Sequence, residues 1–138
     1  MNWHAKVREL MTIDPVSIDV LAKPSEVLEA LRGSTFHHLP VVDRGVLVGI
    51  VSSVDLARVS LGAWVQDEET EKAWLDSKFR IRDLMTWEPE FVRVDDDIRL
   101  AADKLSAGSF HSLAVLDAGD RLVGIITSTD ILRMVALA

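Results

Sequence analysis

The chain has 138 residues, of which 49% are hydrophobic and 27% charged, with a net charge of −7 and no cysteine. This composition is that of a folded globular protein, and it excludes disulfides, thiolate metal sites and cysteine nucleophiles. The acidic balance argues against nucleic acid as the main partner, because phosphate backbones are bound by basic surfaces. No apolar run approaches the roughly 20 residues of a membrane-spanning helix, and the N-terminus carries no secretory signal, so we expect a soluble, cytoplasmic protein without membrane association.

The beginning of the chain predicts a turn, a strand and a helix. Lys6–Met11 has the pattern of a short helix or turn, ended by Pro15, whose ring disfavours helix in the residue before it. Val16–Val20 alternates apolar and polar residues, which is the period of a strand with one buried face. Pro24 then opens a helix whose apolar residues share a face, and Gly33 ends it.

A hairpin and a second helix follow. Leu39–Val42 and Val46–Val51 are apolar runs joined by the polar turn Asp43–Gly45, and this arrangement predicts two antiparallel strands. The next helix is predicted from Ser53 onward. The order of the whole segment is therefore strand, helix, strand, strand, helix.

The same order returns in the second half of the chain. Val7–Thr12 matches Ile81–Thr86, and Leu39–Asp55 matches Leu113–Asp130 with one additional residue in the second hairpin turn. A surface turn tolerates such a change in length. The chain is therefore an internal duplication.

We place the first repeat at residues 1–62, a partly helical linker at 63–79 and the second repeat at 80–138. Within the linker, Gln66–Lys72 is an acidic, solvated segment that is predicted to be helical. In the second repeat, Asp95–Asp97 stands just before the predicted helix. We interpret these three acids as helix capping and as favourable charge at the positive helix end, not as a metal site.

Each repeat ends its hairpin with a hydroxyl and an aspartate three residues apart, in Ser52–Asp55 and Thr127–Asp130. Two interpretations remain open for these turns. They lie where a strand becomes a helix, where backbone N–H groups suit a phosphate and a carboxylate suits a ribose diol. The same spacing is also a helix capping box. Arg58 and Arg133 follow the aspartates by three residues, as phosphate clamps or as exposed helix residues.

Histidines precede the first strand of each hairpin. His37 and His38 stand in the first repeat, while His111 and Ser112 take their places in the second. A histidine there can donate a hydrogen bond to phosphate, and loop histidines without a ligand role are the alternative. We expect no zinc site, because adjacent residues of a strand point to opposite faces.

The first repeat carries Met-Thr, Leu-Pro-Val-Val-Asp and Gly-Ile-Val-Ser-x-x-Asp in this order, and the second carries Met-Thr, Leu-Ala-Val-Leu-Asp and Gly-Ile-Ile-Thr-x-x-Asp. Each set resembles the CBS (cystathionine β-synthase) domain, and the tandem resembles a Bateman module. The resemblance implies an α/β (α+β) fold of two βαββα repeats packed sheet to sheet about a pseudo-twofold axis. It also implies a homodimer. Members of this family bind AMP, ADP, ATP, S-adenosylmethionine or related ligands and transmit occupancy to a partner protein.

By that resemblance, each nucleotide site combines the two repeats, and no further cofactor, metal or catalytic residue is expected. The first site would comprise Thr12, Val16, Phe36, His37, His38 and Leu39 with Thr127, Ser128, Asp130 and Arg133. The second, weaker site would comprise Thr86, Glu90, Phe110, His111, Ser112 and Leu113 with Ser52, Asp55 and Arg58. We expect the second site to be weaker because Glu90 replaces Val16 and brings a negative charge.

A ligand-independent dimerisation and interaction module is the alternative function. The four tryptophans motivate it, since exposed aromatic residues favour protein interfaces; they are Trp3, Trp64, Trp74 and Trp87. An enzyme is not expected, because no nucleophile is paired with a base and no glycine-rich phosphate loop is present.

Overall fold

The computed structural model describes residues 2–34, 37–60, 67–108 and 111–137. It divides into two compact units, which are Val16–Glu88 (the central unit) and Met1–Pro15 together with Pro89–Ala138 (the terminal unit). Within the described residues, no helix is long and apolar enough to cross a membrane.

The elements follow the order predicted from the repeat. In chain order they are a 3-10 turn Val7–Glu9, β1 Thr12–Ile13, β2 Ile18–Asp19, α1 Pro24–Arg32, β3 His38–Asp43, β4 Val46–Ser52, α2 Ser53–Ser60, α3 Glu68–Lys78, α4 Ile81–Leu84, β5 Thr86–Trp87, β6 Phe91–Arg93, α5 Ile98–Ala107, β7 Ser112–Leu116, β8 Leu122–Thr127 and α6 Ser128–Ala136. The mixed α+β class is confirmed.

Each unit contains one four-stranded sheet, and the two sheets have corresponding orders. The central sheet runs β2-β3-β4-β5 and the terminal sheet runs β6-β7-β8-β1. The first two strands of each are parallel and the remaining pairs antiparallel. The predicted hairpins are present. In the first, Arg44 and Gly45 have φ of 53° and 82°, the left-handed conformation that a two-residue hairpin turn requires.

The edge strand of each sheet comes from the Met-Thr segment that precedes the other sheet's strands in sequence. Thr12 of β1 lies opposite Ile125 of β8, and Thr86 of β5 lies opposite Ile50 of β4. A repeat counted along the sequence is therefore not the same set of residues as a compact unit. The Met-Thr segment begins one repeat and completes the sheet that carries the other hairpin.

A glycine in each hairpin makes room for this edge strand. A Cβ on Gly124 would lie 2.6 Å from Met11 Sδ and 3.0 Å from the carbonyl oxygen of Thr12. A Cβ on Gly49 would overlap Met85 in the same way, again with a backbone carbonyl at 3.0 Å. The methionine side chain occupies the space that a β-carbon would take. The methionine of the Met-Thr motif and the glycine of the Gly-Ile motif therefore pack directly against each other.

The linker helix α3 is part of the central unit. Its Leu75 is fully buried in the core beneath α1 and the sheet. Asp76 accepts hydrogen bonds from the N–H and the hydroxyl of Ser25, at 2.9 and 2.6 Å, and so caps the start of α1. Trp74 packs edge to face on Phe79 with ring centroids 5.6 Å apart. The helix predicted within Gln66–Lys72 is confirmed from Glu68 onward, and Gln66 lies outside the described residues.

The start of α5 is capped differently from our interpretation of Asp95–Asp97. The N–H groups of Ile98 and Arg99 donate to the carbonyl oxygens of Ala5 and Trp3, at 2.8 and 3.1 Å. Asp97 stands at the N-cap position, but its side chain does not cap the helix. Its carboxylate accepts from Lys6 Nζ at 2.8 Å and lies 3.2 Å from His4 Nδ1. Of the three acids, Asp97 thus fastens the N-terminal segment to the start of α5, Asp95 pairs with Arg8, and Asp96 accepts from the N–H of Arg93.

We expect Gly124→Ala to lower the free energy of unfolding by about 1–3 kcal/mol, because the new methyl group overlaps Met11 in a packed contact. Urea denaturation measures the change. Met11→Ala in the same background should restore part of the loss. Gly119→Ala is the control, since its nearest neighbouring atom would be 3.5 Å away. Equal losses in the two glycine variants would contradict the packing argument.

The Asp97 contacts predict a pH-dependent contribution to stability. The hydrogen bonds from Lys6 and His4 lower the pKa of Asp97 below its usual value of 3.8. A carboxyl with a depressed pKa in the folded state stabilises above its unfolded pKa, and the effect disappears as the pH falls through the folded value. Wild type should therefore be more stable than Asp97→Asn near neutral pH, and the difference should vanish in acid below the usual aspartate range.

Denaturation curves from pH 7 down to pH 2 test this expectation. Asp103→Asn is the matched control on the same helix, because Asp103 is 67% exposed and its ion pair with Arg99 is long, at 3.9 Å. A difference for Asp97→Asn that stays constant across the acid range would refute the assigned role.

Candidate functional site

The two hydroxyl–aspartate turns have the same geometry. At the β4–α2 junction, the N–H of Ser52 donates to Asp55 Oδ2 at 2.8 Å, and the N–H of Asp55 donates to Ser52 Oγ at 3.2 Å. At the β8–α6 junction, Thr127 and Asp130 form the same pair of bonds at the same distances. Both turns are therefore reciprocal capping boxes, which is the second of the two interpretations drawn from the sequence.

The capping box uses only one oxygen of each carboxylate. Asp55 Oδ2 and Asp130 Oδ2 also lie 3.0 Å from the hydroxyl of Ser52 and of Thr127. Among the described residues, Oδ1 of either aspartate accepts no hydrogen bond, and the nearest cation is Arg58 Nη1, at 4.0 Å from Asp55 Oδ1. Asp55 is 17% exposed, so one carboxylate oxygen stays available at a partly buried, rigid position.

The predicted histidines lie beside these turns. The N–H of Ser53 donates to the carbonyl oxygen of His37 at 3.0 Å, and the N–H of Ser128 donates to that of His111 at 2.9 Å. The imidazoles of both histidines are on exposed residues. A backbone carbonyl thus takes the first N–H of each helix, so less of the helix N-terminus is open to a ligand than the sequence suggested.

The residues after each histidine pair across the sheet with the hydroxyl residues. His38 lies opposite Ser52, and Ser112 lies opposite Thr127. The Ser112 Oγ is buried and has no hydrogen-bond partner among the described residues. Each unit therefore assembles its own histidine, hydroxyl and aspartate positions around one strand–helix junction.

The other predicted site residues divide between the units. Thr12 is exposed in β1, in the same sheet as Thr127, whereas Val16, His37 and His38 belong to the central unit. The proposed combination of residues from different units stays a prediction. Phe36 and Phe110 lie outside the described residues.

The remaining positions differ in exposure. Leu39 has a fully buried side chain in the core, so only its backbone can meet a ligand. Thr86, Arg58 and Arg133 are exposed, and the side chain of Arg58 is 76% exposed.

Glu90 is not an isolated negative charge. Lys104 Nζ lies 3.3 Å from Glu90 Oε2 and also donates to the carbonyl oxygen of Phe91 at 2.8 Å. Its counterpart Val16 is 56% exposed. The ion pair is at the surface, where it neutralises part of the charge that we expected to weaken the second site.

Each repeat contains a residue with positive φ that the sequence analysis did not predict. Asp14 and Glu88, each directly before a proline, have φ of 49° and 50°, a left-handed conformation that is uncommon outside glycine. They redirect the chain from the edge strand towards Val16 and Glu90. The sequence does contain a pattern that could have indicated this turn, because an acidic residue precedes a proline at the same position of both repeats.

Known proteins resemble this chain along both halves. The CBS domain family model matches residues 7–62 and 81–137. The CBS domain pair of protein MJ0100, solved in complex with 5′-methylthioadenosine and S-adenosyl-L-methionine, is 28% identical with a TM-score of 0.76, and the match covers 95% of this chain and 99% of that one. CBSX2 in complex with AMP is 27% identical with a TM-score of 0.79, and the match covers 96% of each chain.

Several of the curated relatives are much longer than this chain. Homoserine O-acetyltransferase from Methanocorpusculum labreanum is 32% identical over 123 residues, which are 88% of this chain and 22% of the relative. L-aspartate semialdehyde sulfurtransferase from Methanocaldococcus jannaschii is 30% identical over 129 residues, 93% of this chain and 23% of the relative. The chain thus spans less than a quarter of either enzyme. The family model covers both repeats, and this chain belongs to the CBS domain family as a tandem pair of such domains.

Proposed function

We propose that this chain is a regulatory module that binds an adenosine-containing ligand, such as AMP, ADP, ATP or S-adenosylmethionine. The observation that carries the proposal is the duplicated turn. In it, one carboxylate oxygen of Asp55 and of Asp130 accepts the capping hydrogen bond, and the other oxygen stays available. The ligands of the similar pairs support it, since those of MJ0100 and CBSX2 are all adenosine derivatives.

The geometry of the turn suits a ribose. A carboxylate oxygen can accept hydrogen bonds from both hydroxyls of a diol. Each hydrogen bond to a charged acceptor contributes roughly 1.5–3 kcal/mol to the binding free energy. Because the capping bonds already fix the rotamer of the aspartate, binding does not need to order that side chain. The hydroxyls of Ser128 and Thr127 and the positive end of α6 then favour a phosphate nearby.

On this proposal the better site takes Thr12, Val16, Phe36, His37, His38 and Leu39 together with Thr127, Ser128, Asp130 and Arg133. The second site takes Thr86, His111, Ser112, Ser52, Asp55 and Arg58. The Glu90–Lys104 pair reduces the electrostatic difference between them. The replacement of His38 by Ser112 then becomes the main reason to rank the first site above the second.

We propose that occupancy is transmitted to another protein segment by a change of conformation, in a homodimer, and that the module itself catalyses no reaction. The long relatives suggest the kind of target, because there the matched segment accompanies an enzyme that is several times larger. The target of this chain would be a catalytic domain, joined to it or on a separate polypeptide.

We expect titration calorimetry with AMP and S-adenosylmethionine to show saturable binding, and Asp130→Asn to weaken it by about 10-fold or more, as the loss of a charged hydrogen bond implies. Asparagine keeps an oxygen for the capping bond, so the fold is preserved. Asp55→Asn should have the smaller effect, and Asp103→Asn is the surface control. If neither AMP, ADP, ATP nor S-adenosylmethionine binds, and stability depends on protein concentration alone, the interaction module is the correct alternative.

The histidines provide a second test. If His37 and His38 face the phosphate, the double change His37→Ala with His38→Ala should weaken AMP several-fold and leave adenosine almost unaffected, because only AMP loses a partner. His111→Ala is the matched control in the weaker site. Equal weakening of AMP and adenosine would assign the histidines a structural role only.

A further inference from the structure

A cavity of about 440 Å³ opens in the central unit at the C-terminal end of α3. It lies between the loop that leads into α1 and the segment that leads into α4, and none of the hydroxyl–aspartate turn residues lines it. The lining residues are Val20, Leu21, Ala22, Lys23, Pro24, Asp76, Phe79, Arg80 and Arg82. The volume lies in the range of small-molecule pockets, roughly 300–1,000 Å³.

The cavity is lined by an excess of positive charge. Lys23, Arg80 and Arg82 are all exposed, and within the described residues none of them has a carboxylate within 4 Å. Among the described lining residues Asp76 is the one acid, and both of its oxygens accept from Ser25. Three unpaired cations around one concave surface are notable on a chain with a net charge of −7.

The neighbouring carboxylates hold the walls in place. Asp19 accepts from the N–H of Leu21 at 2.8 Å, Glu26 from that of Lys23 at 2.6 Å, and Asp83 from that of Arg80 at 2.8 Å. Each of these acids is tied to the backbone of a lining residue. The loop and the segment before α4 are thereby fixed, and the cationic side chains extend from a defined backbone.

The rest of the lining is apolar. Val20 is 5% exposed and Pro24 is buried, so they form a floor, whereas Leu21 is 82% exposed at the rim. Phe79 completes the wall and is held by Trp74. A large apolar side chain left in solvent next to unpaired cations suits a ligand with both an apolar body and a negative group.

We propose that this cavity binds a small organic anion, with a carboxylate or phosphate held by Lys23, Arg80 and Arg82 and an apolar body against Leu21 and Phe79. Guanidinium groups bind both kinds of anion through paired N–H donors. The site is separate from the adenosine-ligand sites and does not depend on the proposed function. Its occupant would join the start of α1 to the segment before α4 and β5.

The test is an NMR titration of the full chain with phenyl phosphate and benzoate. Saturable changes are expected at the amides of Leu21, Ala22 and Phe79, with dissociation constants of about 0.1–10 mM for ligands of this size. Inorganic phosphate should bind more weakly because it lacks the apolar body. 2-Phenylethylamine also carries a phenyl ring but has a positive charge, and it should cause no change at these amides.

Charge variants make the test specific. The double variant Arg80→Gln with Arg82→Gln should weaken phenyl phosphate by about 10-fold or more. The matched control is Arg44→Gln with Arg121→Gln, which removes the same charge from two exposed turn residues and should change affinity by less than about twofold. Lys23→Gln provides a second variant if the double variant unfolds in urea more readily than the control.

Three results would overturn the site. They are no saturable change with either anion, equal weakening in the control variant, and changes at the strand–helix turns instead of at Leu21, Ala22 and Phe79. Binding of an anion in the cavity is also distinguishable from binding of an adenosine ligand. Saturation with AMP should leave the affinity for phenyl phosphate unchanged, and failure of AMP to bind would leave the cavity titration interpretable.

Discussion

The close contact between a methionine and a glycine is the constraint on which the sheets depend. Each edge strand is only two residues long, so its backbone pairing alone contributes little. The absence of a β-carbon at Gly124 and Gly49 lets Met11 and Met85 lie directly on the neighbouring strand. That contact links residues far apart in sequence and fixes the path of the chain into the left-handed turns at Asp14 and Glu88.

Capping and ligand binding are compatible at the strand–helix turns because a carboxylate has two oxygens. In Asp130 one oxygen accepts the N–H of the N-cap residue Thr127 and so completes the capping box at the start of α6. The other remains open. A group that is already held in its functional rotamer binds with a smaller entropic cost than a mobile one. The structural role therefore prepares the aspartate for the proposed one, and the sequence pattern that signals a cap is also the pattern of the site.

Sequence reasoning succeeded where the signal is local. The hairpin turn at Arg44 and Gly45 needs positive φ, the helix after Pro24 has a periodic apolar face, and the duplication sets the same elements twice. It failed where distant segments meet. No local pattern indicated that the carbonyl oxygens of Trp3 and Ala5 cap α5 in place of the Asp97 side chain. The ion pair between Glu90 and Lys104 was not predicted either, because the two residues are 14 positions apart and lie on different elements.

The two proposed sites would recognise an anion in different ways. At the strand–helix turns the available groups are hydroxyls, backbone N–H groups and histidines, and the arginine beside Asp55 is mostly in solvent. Such hydrogen-bonding groups distinguish shape and hydrogen-bonding pattern more than charge. The cavity beside α3 offers three cations and little fixed hydrogen-bonding geometry. Attraction between exposed charges is screened by salt, so a ligand there is selected chiefly by its charge and apolar bulk.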